Sequence, residues 1–145
     1  MILYVDSSAL VKRYTEETHS KRVRELVRRA RSVGTAEITQ VEVIAAFKEA
    51  ERMGTLNAAE ASRARRDLLG DWPSLVRLTV SVMVLNRAGE LAWQHPLRGY
   101  DAVQLAAAQL WQEALGEEID LATFDEQLWD AATTTGLRVW PADLK

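Results

Sequence analysis

The sequence predicts an α/β domain with a short, mostly parallel central sheet and helices on both faces. Three observations carry this. Short apolar or β-branched runs, at residues 2–5, 35–38, 75–80, 121–124 and 137–140, alternate with longer stretches of helical spacing. Strands that alternate with helices imply βαβ units and parallel pairing. The chain has 145 residues with no repeat, low-complexity stretch or linker, so 1–145 reads as one domain with a full core.

The elements follow in order. Residues 2–5 form a buried strand, after which Ser7 or Ser8 caps a helix running to about Tyr14. Val23, Leu26, Val27 and Ala30 repeat at helical spacing, with Arg24, Arg28 and Arg31 on another face, and Gly34 ends that helix. After the second strand, Thr39-Gln40-Val41-Glu42 opens a helix to about Met53, before Gly54. Asn57-Ala58-Ala59-Glu60 is a capping box for a helix ending near Leu69, and Gly70-Asp71-Trp72-Pro73 breaks the chain. Beyond the third strand, helices cover about 82–94 and 100–115, separated by the loop 95–99 and ended by Gly116. The fourth strand leads into a helix over 125–134, ended by Gly136, and the fifth strand closes the domain.

Apolar residues make up 48% and charged residues 27% of the chain, ordinary values for a globular protein. With no cysteine, disulfides, zinc–thiolate sites and cysteine nucleophiles are excluded, and a reducing cytoplasmic location is expected. No apolar run is long enough to cross a bilayer, and the start of the chain lacks the pattern of a signal peptide. The net charge of −3 is unevenly spread: residues 101–145 hold nine acids and two bases, leaving +4 on the first hundred. Lys12, Arg13, Lys21, Arg22, Arg24, Arg28, Arg29 and Arg31 cluster there. They read either as a solvated helix face or as a nucleic-acid footprint.

Four acids stand where a carboxylate is costly. Asp6 ends the first apolar strand, and Asp125 ends the fourth. Glu42 and Asp101 sit near the starts of the apolar helices Val41-Glu42-Val43-Ile44-Ala45-Ala46-Phe47 and Tyr100-Asp101-Ala102-Val103-Gln104-Leu105. Ionised carboxylates in such company need a partner, and no basic residue lies beside any of the four in the sequence. A hard divalent cation with oxygen ligands is the economical partner. Strand ends at the carboxyl edge of a parallel sheet are where ligands bind, and first-turn acids on helices can point to that edge. Each acid alone also reads as a helix cap or capping-box partner. Together they suggest metal-dependent phosphoryl transfer, with Asp6, Glu42, Asp101 and Asp125 as metal ligands. Thr123 shares a strand face with Asp125 and is expected to orient a ligand or water.

These segments resemble the PIN-domain family of metal-dependent ribonucleases, and most closely the VapC toxins of type II toxin–antitoxin pairs. Tyr4-Val5-Asp6-Ser7-Ser8-Ala9-Leu10-Val11-Lys12 is similar to the family's opening strand and first metal-binding aspartate. Glu42 in its helix matches the family glutamate. Leu97-Arg98-Gly99-Tyr100-Asp101-Ala102-Val103-Gln104-Leu105-Ala106 is the most distinctive stretch, and Thr123-Phe124-Asp125 matches the closing motif. The resemblance spans the chain and departs from the family at none of the acids. It implies a Mg²⁺-dependent endoribonuclease, with Mn²⁺ as an alternative ion, cutting structured transfer or ribosomal RNA by metal-activated water. Asp6, Glu42 and Asp101 would form the main metal shell and Asp125 would complete it, with Ser7 and Thr123 as polar supports. It also implies a cytoplasmic homodimer whose two sites face a shared groove, and a VapB-like antitoxin whose C-terminal segment blocks the site. Lys12, Arg13, Arg24 and Arg28 would contact the RNA backbone.

Other readings compete. A housekeeping RNA-processing nuclease would share the same site. A non-catalytic nucleic-acid-binding or regulatory module could share the fold, although four acids in register argue against it. A phosphatase with an aspartyl nucleophile would want an acid where Ser8 stands, and a receiver domain would want a late lysine that is missing. His19 and His95 lack metal-ligand spacing and read as surface or loop residues. Ser7 and Ser8 have no base in context for nucleophilic chemistry. Trp111 and Trp129 are expected in cores or interfaces, while Trp93 is the tryptophan to consider for base stacking.

Overall fold

In the computed structural model, which describes residues 1–144, five strands run parallel in the order β3-β2-β1-β4-β5. β1 (Ile2–Val5) lies at the centre, paired with β2 (Ser32–Ala36) on one side and β4 (Asp120–Ala122) on the other. β3 (Val76–Leu78) and β5 (Arg138–Trp140) form the edges. The helices are α1 (Ser7–Tyr14), α2 (Ser20–Arg29), α3 (Ile38–Met53), α4 (Ala58–Asp71), α5 (Val82–Gln94), α6 (Gly99–Leu115) and α7 (Glu126–Thr134).

β1 is buried along its whole length, so its period-2 alternation divides the core in two. Leu3 and Val5 join Ala9, Leu10, Leu26, Val43, Phe47, Ala64 and Leu68, packing α1–α4 on one face. Ile2 and Tyr4 join Val84, Leu91, Leu105, Trp111, Leu128 and Ala132, packing α5–α7 on the other. This is the sandwich of helices about a parallel sheet that the alternating pattern predicts.

Four local expectations are corrected. Gly34 does not end α2; Ala30 caps that helix, its N–H reaching Leu26 O and Val27 O, and Gly34 lies within β2. Its role is steric, because a Cβ there would meet the Trp111 ring at 2.6 Å. The second strand is accordingly Ser32–Ala36 instead of 35–38, and Ile38 already begins α3. At α1 the cap is Asp6 and not a serine: its side chain accepts from the Ala9 N–H. The expected strands at 75–80 and 121–124 shorten to three residues each, at Val76–Leu78 and Asp120–Ala122. The capping box at Asn57 and Glu60 forms with both bonds, and Gly116 ends α6 in the left-handed region.

Candidate active site

At the carboxyl edge of the sheet a cleft of about 550 Å³ opens between α1, α3 and α6. Asp6, Glu42, Asp101 and Asp125 all line it, together with Ser7, Ser8, Arg98 and Tyr100. Along α3 it continues over Ala45, Ala46, Glu49 and Arg52. The fold thus gathers four acids that are separated by up to 119 positions in the chain.

Asp6 follows the last residue of β1 and is almost fully buried. Its Oδ1 accepts from Ala9 N at 2.9 Å and from Ser8 Oγ at 2.8 Å; its Oδ2 accepts from Thr123 Oγ1 at 2.7 Å. Three donors lower the carboxyl's pKa, but burial outweighs them and, with repulsion from Asp101, lifts it to about 7. Thr123 is itself fully buried and bonded to Asp6, so its hydroxyl orients that carboxylate and not a ligand directly. Ser8 does similar work, donating to Asp6 and accepting from Phe124 N at 2.9 Å. Ser7, the serine expected in that supporting role, lines the cleft and lowers the pKa of Glu42 by hydrogen bonding.

Glu42 is the fifth residue of α3, in its second turn and not the first as expected. Gln104 Nε2 donates to its Oε1 at 2.7 Å. Gln104 is buried in the middle of α6, and its amide is locked from every side. The same Nε2 donates to Thr39 Oγ1 at 2.9 Å, and its Oε1 accepts from Tyr4 OH. Tyr4 OH accepts in turn from Ala36 N, and Thr39 Oγ1 stands 2.8 Å from Thr35 Oγ1, which donates to Val5 O. Burial raises the pKa of Glu42, and the charge of Asp101 adds to the rise. Burial raises that of Asp101 too, with Asp125 repelling and Arg98 pulling it back.

Asp125 caps α7, its Oδ1 accepting from Leu128 N at 2.9 Å. Its Oδ2 accepts from Arg98 Nη2 at 2.8 Å, while Arg98 Nε donates to Asp101 Oδ2 at 3.0 Å. The expectation that these acids lack a basic neighbour is therefore corrected for two of them. Arg98 lies three residues before Asp101, a spacing that places both on one face of the first turn. Asp6 and Glu42, by contrast, have no ion pair among the described residues.

The donor set, four carboxylates and nearby hydroxyls, fits a hard divalent cation, and the unpaired charge of Asp6 and Glu42 calls for one. Among the described residues no three acids or histidines stand close enough together to hold an ion as placed. Asp101 Oδ2 and Asp125 Oδ2 are instead both held by the Arg98 guanidinium.

The basic cluster lies elsewhere. Lys12 Nζ is tied to Glu17 at 2.8 Å and sits over the Phe124 ring. Arg13 pairs with Asp71 and Arg24 with Glu16; Arg28 is exposed, and none of the four lines the cleft. Arg52 and Arg98, neither of them in that cluster, do line it. Trp93 is 91% exposed on α5 and also stands outside. Trp111 is buried in the core, as expected, whereas Trp129 is half-buried and donates to Pro141 O. His19 lies at the start of α2, stacked on Phe124, and neither histidine reaches the cleft.

A family model described as the PIN domain matches residues 3–133. The chain is 35% identical over 144 residues to ribonuclease VapC49 of Mycobacterium tuberculosis, covering 99% of this chain and 97% of that protein. Among solved structures, the M. tuberculosis toxin VapC20, described as cleaving the sarcin–ricin loop, superposes with a TM-score of 0.65 at 15% identity, covering 93% and 95% of the two chains. A toxin–antitoxin complex from Klebsiella pneumoniae superposes at 0.63 with 17% identity, covering 86% and 88%. At these identities the structural likenesses speak to the fold.

Proposed function

Because the chain belongs to the PIN-domain family, and to its VapC branch, we propose that it is a Mg²⁺-dependent endoribonuclease acting as the toxin of a type II toxin–antitoxin pair. The observation that carries this reading is the convergence of Asp6, Glu42, Asp101 and Asp125 on one cleft at the carboxyl edge of the sheet. A divalent ion held by these acids, Mg²⁺ or alternatively Mn²⁺, would lower the pKa of water and stabilise the leaving oxygen of a phosphodiester. The chain's own residues prepare the site. Ser8, Thr123 and Ala9 N hold Asp6, and Gln104 holds Glu42. Arg52, paired with Glu49, and Arg98, paired with Asp101 and Asp125, line the cleft and would offer cations to the phosphates of a strand lying along α3 if those pairs open.

Structured RNA, transfer or ribosomal, is the proposed substrate, cut in a single-stranded loop where bases are accessible. Of the four candidate contacts Lys12, Arg13, Arg24 and Arg28, the first three are tied to acids, which leaves the exposed Arg28 to reach RNA backbone outside the cleft. Toxin–antitoxin complexes of the same fold, such as that from Klebsiella pneumoniae and VapBC2 from Rickettsia felis, support a VapB-like antitoxin as partner. A homodimer is supported by α5, where Val82, Leu85 and Trp93 share an exposed apolar face. Among the described residues no helix is long and apolar enough to cross a membrane, and a cytoplasmic location is proposed.

The test is incubation of purified, antitoxin-free protein with folded transfer and ribosomal RNA, in Mg²⁺, in Mn²⁺ and in EDTA. Discrete fragments are expected with either metal and none in EDTA, and Asp101→Asn should lower the rate about a hundredfold or more. RNA binding without cutting in any metal would replace the enzyme with a binding module.

A further inference from the structure

We propose that Arg98 is a built-in counter-ion of the Asp101–Asp125 pair, which a divalent metal displaces and which then serves the substrate phosphate. The inference rests on the metal-nuclease reading and goes beyond it. Asp125 has one oxygen to offer a metal, because Oδ1 is committed to capping α7 at Leu128 N. That remaining oxygen, Oδ2, carries Arg98 Nη2 at 2.8 Å. The same guanidinium takes Asp101 Oδ2 through Nε at 3.0 Å. A metal ion taking Asp125 Oδ2 would therefore compete with Arg98 for that oxygen and would share the Asp101 carboxylate with it, and two cations so close repel each other.

Arg98 is placed to give way. Its side chain is 56% exposed at the mouth of the cleft, whereas that of Asp101 is 6% exposed and fixed inside. It precedes α6 in extended backbone and makes no side-chain cap bond that would hold it. Its guanidinium already lies 4.8 Å from the centroid of the Tyr100 ring, a second resting place at the rim. Released from the carboxylates, the guanidinium keeps its fork of donors beside the metal-binding acids, and that fork matches a phosphate in geometry and charge. RNA-free, metal-free protein thus keeps two of its four acids neutralised, and loading the metal frees a cation for the RNA.

The test titrates Mn²⁺ into RNA-free protein by calorimetry, for wild type, Arg98→Gln and Arg98→Lys. Arg98→Gln should bind Mn²⁺ about tenfold more tightly than wild type, with Arg98→Lys within about threefold of wild type. At saturating Mn²⁺, cleavage by Arg98→Gln should show KM raised severalfold. Unchanged or weaker Mn²⁺ binding by Arg98→Gln, with wild type binding normally, overturns the counter-ion role and makes Arg98 a support of the site. Unchanged KM overturns the phosphate role. Absence of Mn²⁺ binding in wild type itself would instead remove the metal reading, and this inference with it.

Discussion

Asp6→Asn is expected to reduce RNA cleavage on the order of a thousandfold and yet to raise the melting temperature of the metal-free protein at pH 8. The first effect follows from removing a charged ligand at the centre of the acid cluster. The second follows from burial. The carboxyl of Asp6 ionises at about 7 in the folded chain, against an ordinary value near 3.8. Its folded-state pKa is raised, so the neutral form is the one the fold favours. The associated stability is fully present below about pH 4 and is lost as pH rises through about 7. At pH 8 the metal-free protein holds a buried, unpaired anion, and three pKa units correspond to about 4 kcal/mol as an upper bound. Glu42 and Asp101, also raised, push stability in the same direction. Asparagine keeps the acceptor for Ala9 N and caps a helix about as well as aspartate, so the variant loses the charge and not the cap. Thermal melts in EDTA should therefore show wild type and variant converging near pH 4, and the variant several degrees higher at pH 8. A variant less stable at pH 8 would make Asp6 a structural cap whose charge helps the fold.

Gln104→Leu should weaken Mn²⁺ binding about tenfold, slow cleavage ten- to a hundredfold, and cost roughly 2–4 kcal/mol of stability. Leucine fills similar space but makes no hydrogen bonds. It would strand Tyr4 OH, which loses its acceptor, and leave Glu42 Oε1 without its donor. Around a metal site, residues that hold a ligand by hydrogen bonding set its affinity as well as its orientation. Tyr4→Phe separates the two effects. It removes the tyrosine's bonds to Gln104 and Ala36 without touching the bond from Gln104 to Glu42. It should lower the melting temperature while leaving Mn²⁺ affinity within about threefold of wild type. Equal loss of affinity in both variants would show that Gln104 acts through general stability and not by positioning Glu42.

The sheet and its helices were legible because β1 carries an unbroken apolar run and the helices carry caps with a local mechanism, as at Asn57 and Gly116. Gly34 misled because a glycine after helical spacing reads as a stop, while its cause here is the ring of Trp111, 77 positions away. The four acids were legible because carboxylates next to apolar runs demand an explanation. What orients them was less so. Ser8 and Ser7 are adjacent, and only the turn from β1 into α1 decides which hydroxyl meets Asp6. Thr123 lies 117 positions from its partner. Two further residues left local signals: Gln104 is the single polar residue between Ala102 and Ala108, and Arg98 precedes Asp101 by three. The cations of α1 and α2 stand out by number, but Glu16 and Glu17 of the intervening loop and Asp71 at the end of α4 pair with three of them.

The reading of the four-acid cleft as a divalent-metal centre can be seen or refuted in a single structure. The most direct measurement is a crystal structure of RNA-free protein loaded with Mn²⁺, with anomalous data collected at the manganese edge. A peak is expected within ligand distance of Asp6, Glu42 and Asp101, with Arg98 turned away from Asp101 and Asp125. A protein that leaves the cleft without a peak at saturating Mn²⁺, with Arg98 still on both carboxylates, would contradict it.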